Sequence, residues 1–130
     1  DAMLEIWQAD ASGRYTSVAG PGFLGFGRAE TDRTGHYTIS TIRPGAVADP
    51  RGGKQAPHIN VSLFAKGLQR QLFTRIYFAD EDANATDPVL RLVPSHLVPT
   101  LIAQPIDGNP AHVRFDVRLR GDGETVFFEA

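Results

Sequence analysis

Apolar and polar residues alternate along several short runs of this chain, a period of two that marks strands with one buried face. The clearest run is Val113-Arg114-Phe115-Asp116-Val117-Arg118-Leu119, apolar at every second position. Ile59, Val61 and Leu63 alternate in the same way with His58, Asn60 and Ser62, and Tyr37, Ile39 and Thr41 alternate with Thr38 and Ser40 after the Thr34-Gly35 turn. The pattern predicts strands over Leu4–Ala9, His36–Ile42, His58–Ala65, Leu72–Phe78, His112–Arg120 and Thr125–Glu129. Ahead of the fifth of these, Asp87 suits a helix N-cap and Pro88 the first helical position, whereas Pro94 and Pro99 forbid one continuous helix. One or two short helical turns are expected there. Ser12–Arg33, glycine-rich, and Pro44–Pro57 carry no periodicity and are expected to be loops. Strands separated by turns, with little helix, predict a mainly β fold, an antiparallel β-sandwich forming a single domain over residues 1–130.

Composition narrows the functional classes. The 130 residues suffice for one domain with a sizeable core, and 13 glycines and 9 prolines supply its turns. A net charge of -2 offers no electrostatic footprint for nucleic acid or an anionic membrane. The absence of cysteine excludes a disulfide framework and a thiolate metal site, and fits a cytoplasmic setting. No apolar run approaches the roughly 20 residues of a membrane helix. The chain is strand-like from Met3 onward, which suggests that Asp1 is a boundary within a longer polypeptide.

Candidate chemistry lies on the polar face of the third predicted strand. His58 and Asn60, two apart, point the same way. A second histidine at position 60 would place two imidazoles on one face, ready to chelate a metal. Asn60 is a far weaker ligand, so the strand carries a metal site with a piece missing.

Further segments extend the pattern. Trp7-Gln8-Ala9-Asp10-Ala11-Ser12-Gly13-Arg14-Tyr15 is followed in order by Gly27-Arg28, Thr31-Asp32, Gly35-His36-Tyr37, Thr41-Ile42-Arg43-Pro44-Gly45, Pro57-His58-Ile59, Gln71-Leu72 to Tyr77-Phe78, and Arg114 through Gly121. This ordered set resembles the intradiol ring-cleaving dioxygenases over nearly the whole chain, and within them the branch that acts on protocatechuate. The resemblance implies a transthyretin-like β-sandwich core. It also implies a non-haem ferric ion held by two tyrosinates and two histidines, and cleavage of a catechol between its hydroxyl-bearing carbons by O2. Hard phenolates favour Fe(III), and imidazoles complete the donor set.

Position by position, the resemblance retains Tyr15 and His58. It places Val47 where the second tyrosine would stand and Asn60 where the second histidine would stand. Gln55 replaces an arginine expected three residues before the first histidine. Losing a phenolate and an imidazole together removes most ferric affinity, so no metal and no catalytic residue is expected in this chain. That pattern resembles the degenerate α partner of a hetero-oligomer in which a homologous β subunit holds Fe(III). The implied partners are therefore that β subunit in a higher αβ assembly, protocatechuate and O2 at a shared site, in the bacterial cytoplasm. Lys66, in the Leu63-Phe64-Ala65-Lys66-Gly67 turn, is then the candidate substrate-binding residue, a point charge for the substrate carboxylate.

Plainer readings stand beside these. His58 suits a satisfied polar residue at a strand start, Tyr15 a packing or interface residue, Lys66 a solvated turn lysine, and Arg14 and Arg28 loop braces. His36, His96 and His112 share no ligand spacing and are expected to be structural or surface residues. The alternative function is a non-catalytic β-sandwich binding or structural module. An autonomous iron enzyme using Tyr15 and His58 is a third, weaker reading.

Overall fold

The computed structural model describes residues 2–15 and 25–129. Among these residues eight strands form: β1 Ala2–Gln8, β2 Phe26–Glu30, β3 Val47–Ala48, β4 Lys54–Gln55, β5 His58–Ala65, β6 Leu72–Phe78, β7 Ile102–Ile106 and β8 Asn109–Arg114. Six of them make one sheet in the order β2-β1-β5-β6-β7-β8, and β3 and β4 form a separate two-stranded ribbon. The expected antiparallel pattern holds at every pairing except β6 with β7, which run parallel. The β6–β7 connection needs a crossover. It is made by three short 3₁₀ turns, Asp82–Thr86, Leu90–Leu92 and Val98–Leu101, in place of the helix that Pro94 and Pro99 prevent. No helix among the described residues is long and apolar enough to cross a membrane.

The strand period sorts side chains to two faces. Leu4 and Ile6 of β1, Ile59, Val61 and Leu63 of β5, Ile76 and Phe78 of β6 and Ala103 of β7 form the principal core. Each large aliphatic side chain so buried contributes about 1.5–3 kcal/mol relative to exposure. Tyr37, Ile39, Val113, Phe115 and Val117 pack over this face from the other side. The buried Gln8 pins one covering segment to the sheet, donating to the Ile42 carbonyl at 2.9 Å and accepting from the Thr41 hydroxyl at 2.9 Å. The Tyr37 hydroxyl donates to the Phe115 carbonyl at 2.7 Å and ties the two covering segments together. Burial beside Asp116 pushes the Tyr37 phenol up to about 12, so it remains a donor.

Three strand predictions need correction. His36–Ile42 buries Tyr37 and Ile39 as its alternation requires, yet it pairs with no strand among the described residues. The strand predicted over His112–Arg120 begins at Asn109 and ends at Arg114, and Phe115 and Val117 cover the core without ladder bonds. Thr125–Glu129 makes a single bridge, Phe73 to Phe128. Alternation reports one buried face, and these segments obtain it by packing rather than by pairing. Conversely, β2, β3 and β4 arise in stretches expected to be loops, and β7 starts at the end of the stretch expected to hold helical turns. In β2 the inward residues are Gly27 and Ala29, paired with Ile6 and Leu4, and such small residues leave no apolar signal.

Candidate functional site

The sheet face opposite the principal core carries the polar residues. Trp7 pairs with Asn60, Asn60 with Arg75, and His58 with Tyr77, so these five share that face. Leu90 and Leu101 of the 3₁₀ turns join Ala56 and Tyr77 in a second apolar cluster. His58 and Tyr77 are thereby buried, while Asn60 and Arg75 remain partly open.

Tyr15 reaches this face from a loop built on Asp10. The Asp10 carboxylate accepts from the Ser12 amide and hydroxyl and from the Arg14 amide, at 2.9, 2.7 and 3.0 Å. These bonds, the Ser12 hydroxyl foremost, hold its carboxyl below the usual carboxylate range. The Asp10 carbonyl accepts the amides of Gly13 and Gly45 at 3.0 and 2.8 Å. Gly13 adopts φ 85°, and a Cβ on Gly45 would lie 2.5 Å from the Ala11 carbonyl oxygen, so glycine is required at both places. The loop then lays Tyr15 on Trp7, ring centroids 5.5 Å apart and 21° from parallel.

His58 donates through Nδ1 to the Ala56 carbonyl at 2.7 Å, which leaves Nε2 as an acceptor facing the Tyr15 hydroxyl at 3.4 Å. Burial foremost, and the Arg75 guanidinium after it, lower its pKa from 6.5 to about 4, so the imidazole is neutral. Asn60 donates its amide to the Tyr15 hydroxyl at 2.9 Å and to the Trp7 carbonyl at 3.1 Å. Behind His58, the Tyr77 hydroxyl donates to Asp87 at 3.3 Å. Burial pushes that phenol up to about 12 despite the opposing pull of Arg75. Asp87 also accepts from the amides of Ala56, Val89 and Leu90 at 2.7, 2.8 and 2.9 Å. The helix start expected at Asp87 and Pro88 is displaced: the second 3₁₀ turn begins at Leu90 with Val89 as its N-cap and no side-chain cap bond, and Asp87 lies ahead of it.

Tyr15, His58 and Asn60 are therefore brought together. Val47 sits directly across from Gln55 in the β3–β4 ribbon, and Gln55 accepts from Arg75 at 3.1 Å. Through Arg75, which lies opposite Asn60, Gln55 links the ribbon to the polar sheet face. Lys66 does not join it, because it is exposed just past the far end of β5, about 25 Å along the strand from His58. Arg28 pairs with Glu5 at 2.8 Å, and His36, His96 and His112 are exposed. Sequence reasoning missed Arg75 and Tyr77.

The ferric ion implied by the family resemblance does not fit these donors. Val47 offers no lone pair. The Asn60 amide and His58 Nε2 are both turned on the Tyr15 hydroxyl, closing a hydrogen-bonded set in which the phenol has neutral partners.

Comparison with known proteins places this geometry in a family. The family model described as "Dioxygenase" matches residues 1–121. The chain is 48% identical over 136 residues to a protocatechuate 3,4-dioxygenase alpha chain of Pseudomonas putida, an alignment covering 99% of this chain and 67% of the relative. It is 33% identical over 141 residues to a protocatechuate 3,4-dioxygenase beta chain of Burkholderia cepacia, covering 96% of this chain and 59% of that one. The solved 3-chlorocatechol 1,2-dioxygenase of Rhodococcus opacus 1CP superposes with a TM-score of 0.63 at 26% identity, over 80% of this chain and 45% of its own. The chain thus spans about two thirds of the alpha relative and less than half of the solved structure. It belongs to the intradiol dioxygenase family.

Proposed function

We propose that this chain is the non-iron-binding α subunit of a bacterial, cytoplasmic protocatechuate 3,4-dioxygenase. A homologous β subunit holds the Fe(III), and the assembly opens the protocatechuate ring between its hydroxyl-bearing carbons with O2, giving 3-carboxy-cis,cis-muconate. Bound iron supplies the activation of catechol and O2. This chain's residues shape and buttress the surroundings, and Lys66 presents a cation to the substrate carboxylate at the shared site.

The observation that carries this reading is the Asn60–Tyr15–His58 closure. A chain with the fold of the family but with its ligand positions bonded to one another is suited to a supporting role. Similarity to both an alpha and a beta chain supports pairing between homologues.

Co-expression with a β-type chain tests the proposal. The two chains are expected to co-purify and to cleave protocatechuate, with loss of ring cleavage when this chain is withheld. Failure to co-purify, or cleavage indifferent to this chain, would favour an independent β-sandwich binding or structural module.

A further inference from the structure

Two extended segments cover the principal core, and among the described residues neither pairs with a strand. Residues 36–42 form none, and β8 ends at Arg114 although Phe115, Val117 and Leu119 continue its apolar alternation. The amides of Tyr37 through Ile42, and of Phe115, Asp116 and Val117, donate to no protein group among the described residues. A side chain joins the two segments instead, through the 2.7 Å bond from the Tyr37 hydroxyl to the Phe115 carbonyl. Between them and the sheet lies a cavity of about 1090 Å³. Its floor is apolar and includes Leu4, Leu63 and Ile76. Its walls are every residue from Gly35 to Arg43 and every residue from Pro110 to Leu119. Space beneath a strand meets alternate side chains, whereas space that meets every residue runs along the main-chain edge. Nine extended residues measure about 30 Å, so the cavity follows those edges for the length of a strand. Ile42 and Leu119, which also line it, are left exposed.

An apolar floor between two rows of peptide groups calls for one kind of occupant. A compact apolar molecule would cover the floor and leave both rows unserved. An extended strand covers it with alternate side chains and bonds to both rows with its own main chain. The free side of β8, last in the sheet order, supplies one edge, and residues 36–42 supply the other. We propose that this slot holds a strand of the same polypeptide lying ahead of β1, which pairs with residues 36–42 on one side and residues 113–119 on the other. Ala2 of β1 lines the same cavity, so chain joined ahead of β1 enters it directly. Such a tether holds a segment at an effective concentration of about millimolar, which a separate chain does not match. Length supports this source, because the match to the alpha relative takes in 99% of this chain and only 67% of that one. Permanent cover also removes two open strand edges that would otherwise recruit foreign chains. The slot lies on the sheet face opposite Tyr15 and His58, and the inference stands whether or not the proposed β partner is correct.

Hydrogen exchange read by mass spectrometry on the complete gene product, in its native assembly, tests for the strand. Peptides covering residues 36–42 and 115–119 are expected to exchange about a hundredfold more slowly than unstructured chain, as paired strands do. Photo-cross-linking identifies the source. Thr38→benzoylphenylalanine, at an exposed position of the slot edge, is expected to link to a residue ahead of Asp1 in the same polypeptide. The product would run at the mass of a single chain on a denaturing gel, and its peptides would locate the strand. The wild-type exchange measurement guards against a folding defect in the labelled variant. Exchange at the unstructured rate in either segment overturns the strand. A cross-link to a second copy, to another chain, within residues 1–130, or to nothing overturns the proposed source. Ring cleavage of protocatechuate, measured on the same preparations, reports separately on the proposed function.

Discussion

Asn60 donates its side-chain amide to the hydroxyl of Tyr15 at 2.9 Å, and the same hydroxyl faces His58 Nε2 at 3.4 Å. Both neighbours that could serve a metal thus spend their polar atoms on the Tyr15 hydroxyl. The isolated chain is therefore expected to remain colourless when ferric iron is added and then passed through a desalting column. A stoichiometric complex with a visible tyrosinate-to-iron band would refute that reading.

Asp87 joins the crossover turns to the pocket by accepting four hydrogen bonds. Asp87→Ala strands three amides and the Tyr77 hydroxyl, two of them fully enclosed. The expected loss is about 3 kcal/mol by denaturant titration, because buried donors left without acceptors are penalised severally. Asp87→Asn keeps the volume and one good acceptor, and should cost roughly half as much.

His58 makes stability depend on pH. Its folded pKa of about 4 lies below the ordinary imidazole value of 6.5. The unfolded chain therefore takes up a proton first as the pH falls. The contribution is intact above 6.5 and erodes steadily toward 4, amounting to about 2 kcal/mol between pH 7 and 5. Urea melts across that range should show the decline in wild type and a flatter profile in His58→Phe. A wild-type profile as flat as the variant's would contradict the burial assigned to His58.

Gly45 packs against the loop that carries Tyr15, where an added Cβ would meet Ala11 oxygen at 2.5 Å and Gly13 nitrogen at 2.8 Å. Both are backbone atoms, so relief requires the loop to move. Gly45→Ala should destabilise by about 2 kcal/mol. It should also shift the emission of Trp7, the single tryptophan, as its stacking on Tyr15 loosens. An unchanged spectrum would show that Tyr15 is placed by other contacts.

Lys66 lies far from the His58 pocket within its own chain, so any role toward substrate must be played at the site of the partner. In the assembled enzyme, Lys66→Ala should raise KM for protocatechuate several-fold and leave KM for uncharged catechol nearly unchanged. Equal effects on both substrates would assign Lys66 to solvent or to the interface.

The central strands were legible because their inward residues are large: β5 and β6 span the very residues their alternation marked out. Edge strand β2 was not, because Gly27 and Ala29 face inward. The tiny β3–β4 ribbon was hidden as well, since two residues per strand hold no period. At the site, His58 and Asn60 were found because strand alternation puts them on one face, and Tyr15 because the family resemblance implies it. Arg75 and Tyr77 escaped because their importance comes from register across strands, which one strand does not reveal. The covering segments show the converse limit. Tyr37 and Ile39 pack as a strand face would, yet packing and ladder bonding are separate properties.

The carbonyl oxygen of Asp10 receives the amides of Gly13 and Gly45 together, so the approach to Tyr15 and the approach to Val47 hang from one main-chain atom. Scaffolding made of backbone is indifferent to the side chains it displays. The chemistry of such a pocket is thereby interchangeable: phenol can give way to valine, or imidazole to carboxamide, while the path of the chain stays as it was. A protein built in this way can change occupation without being rebuilt.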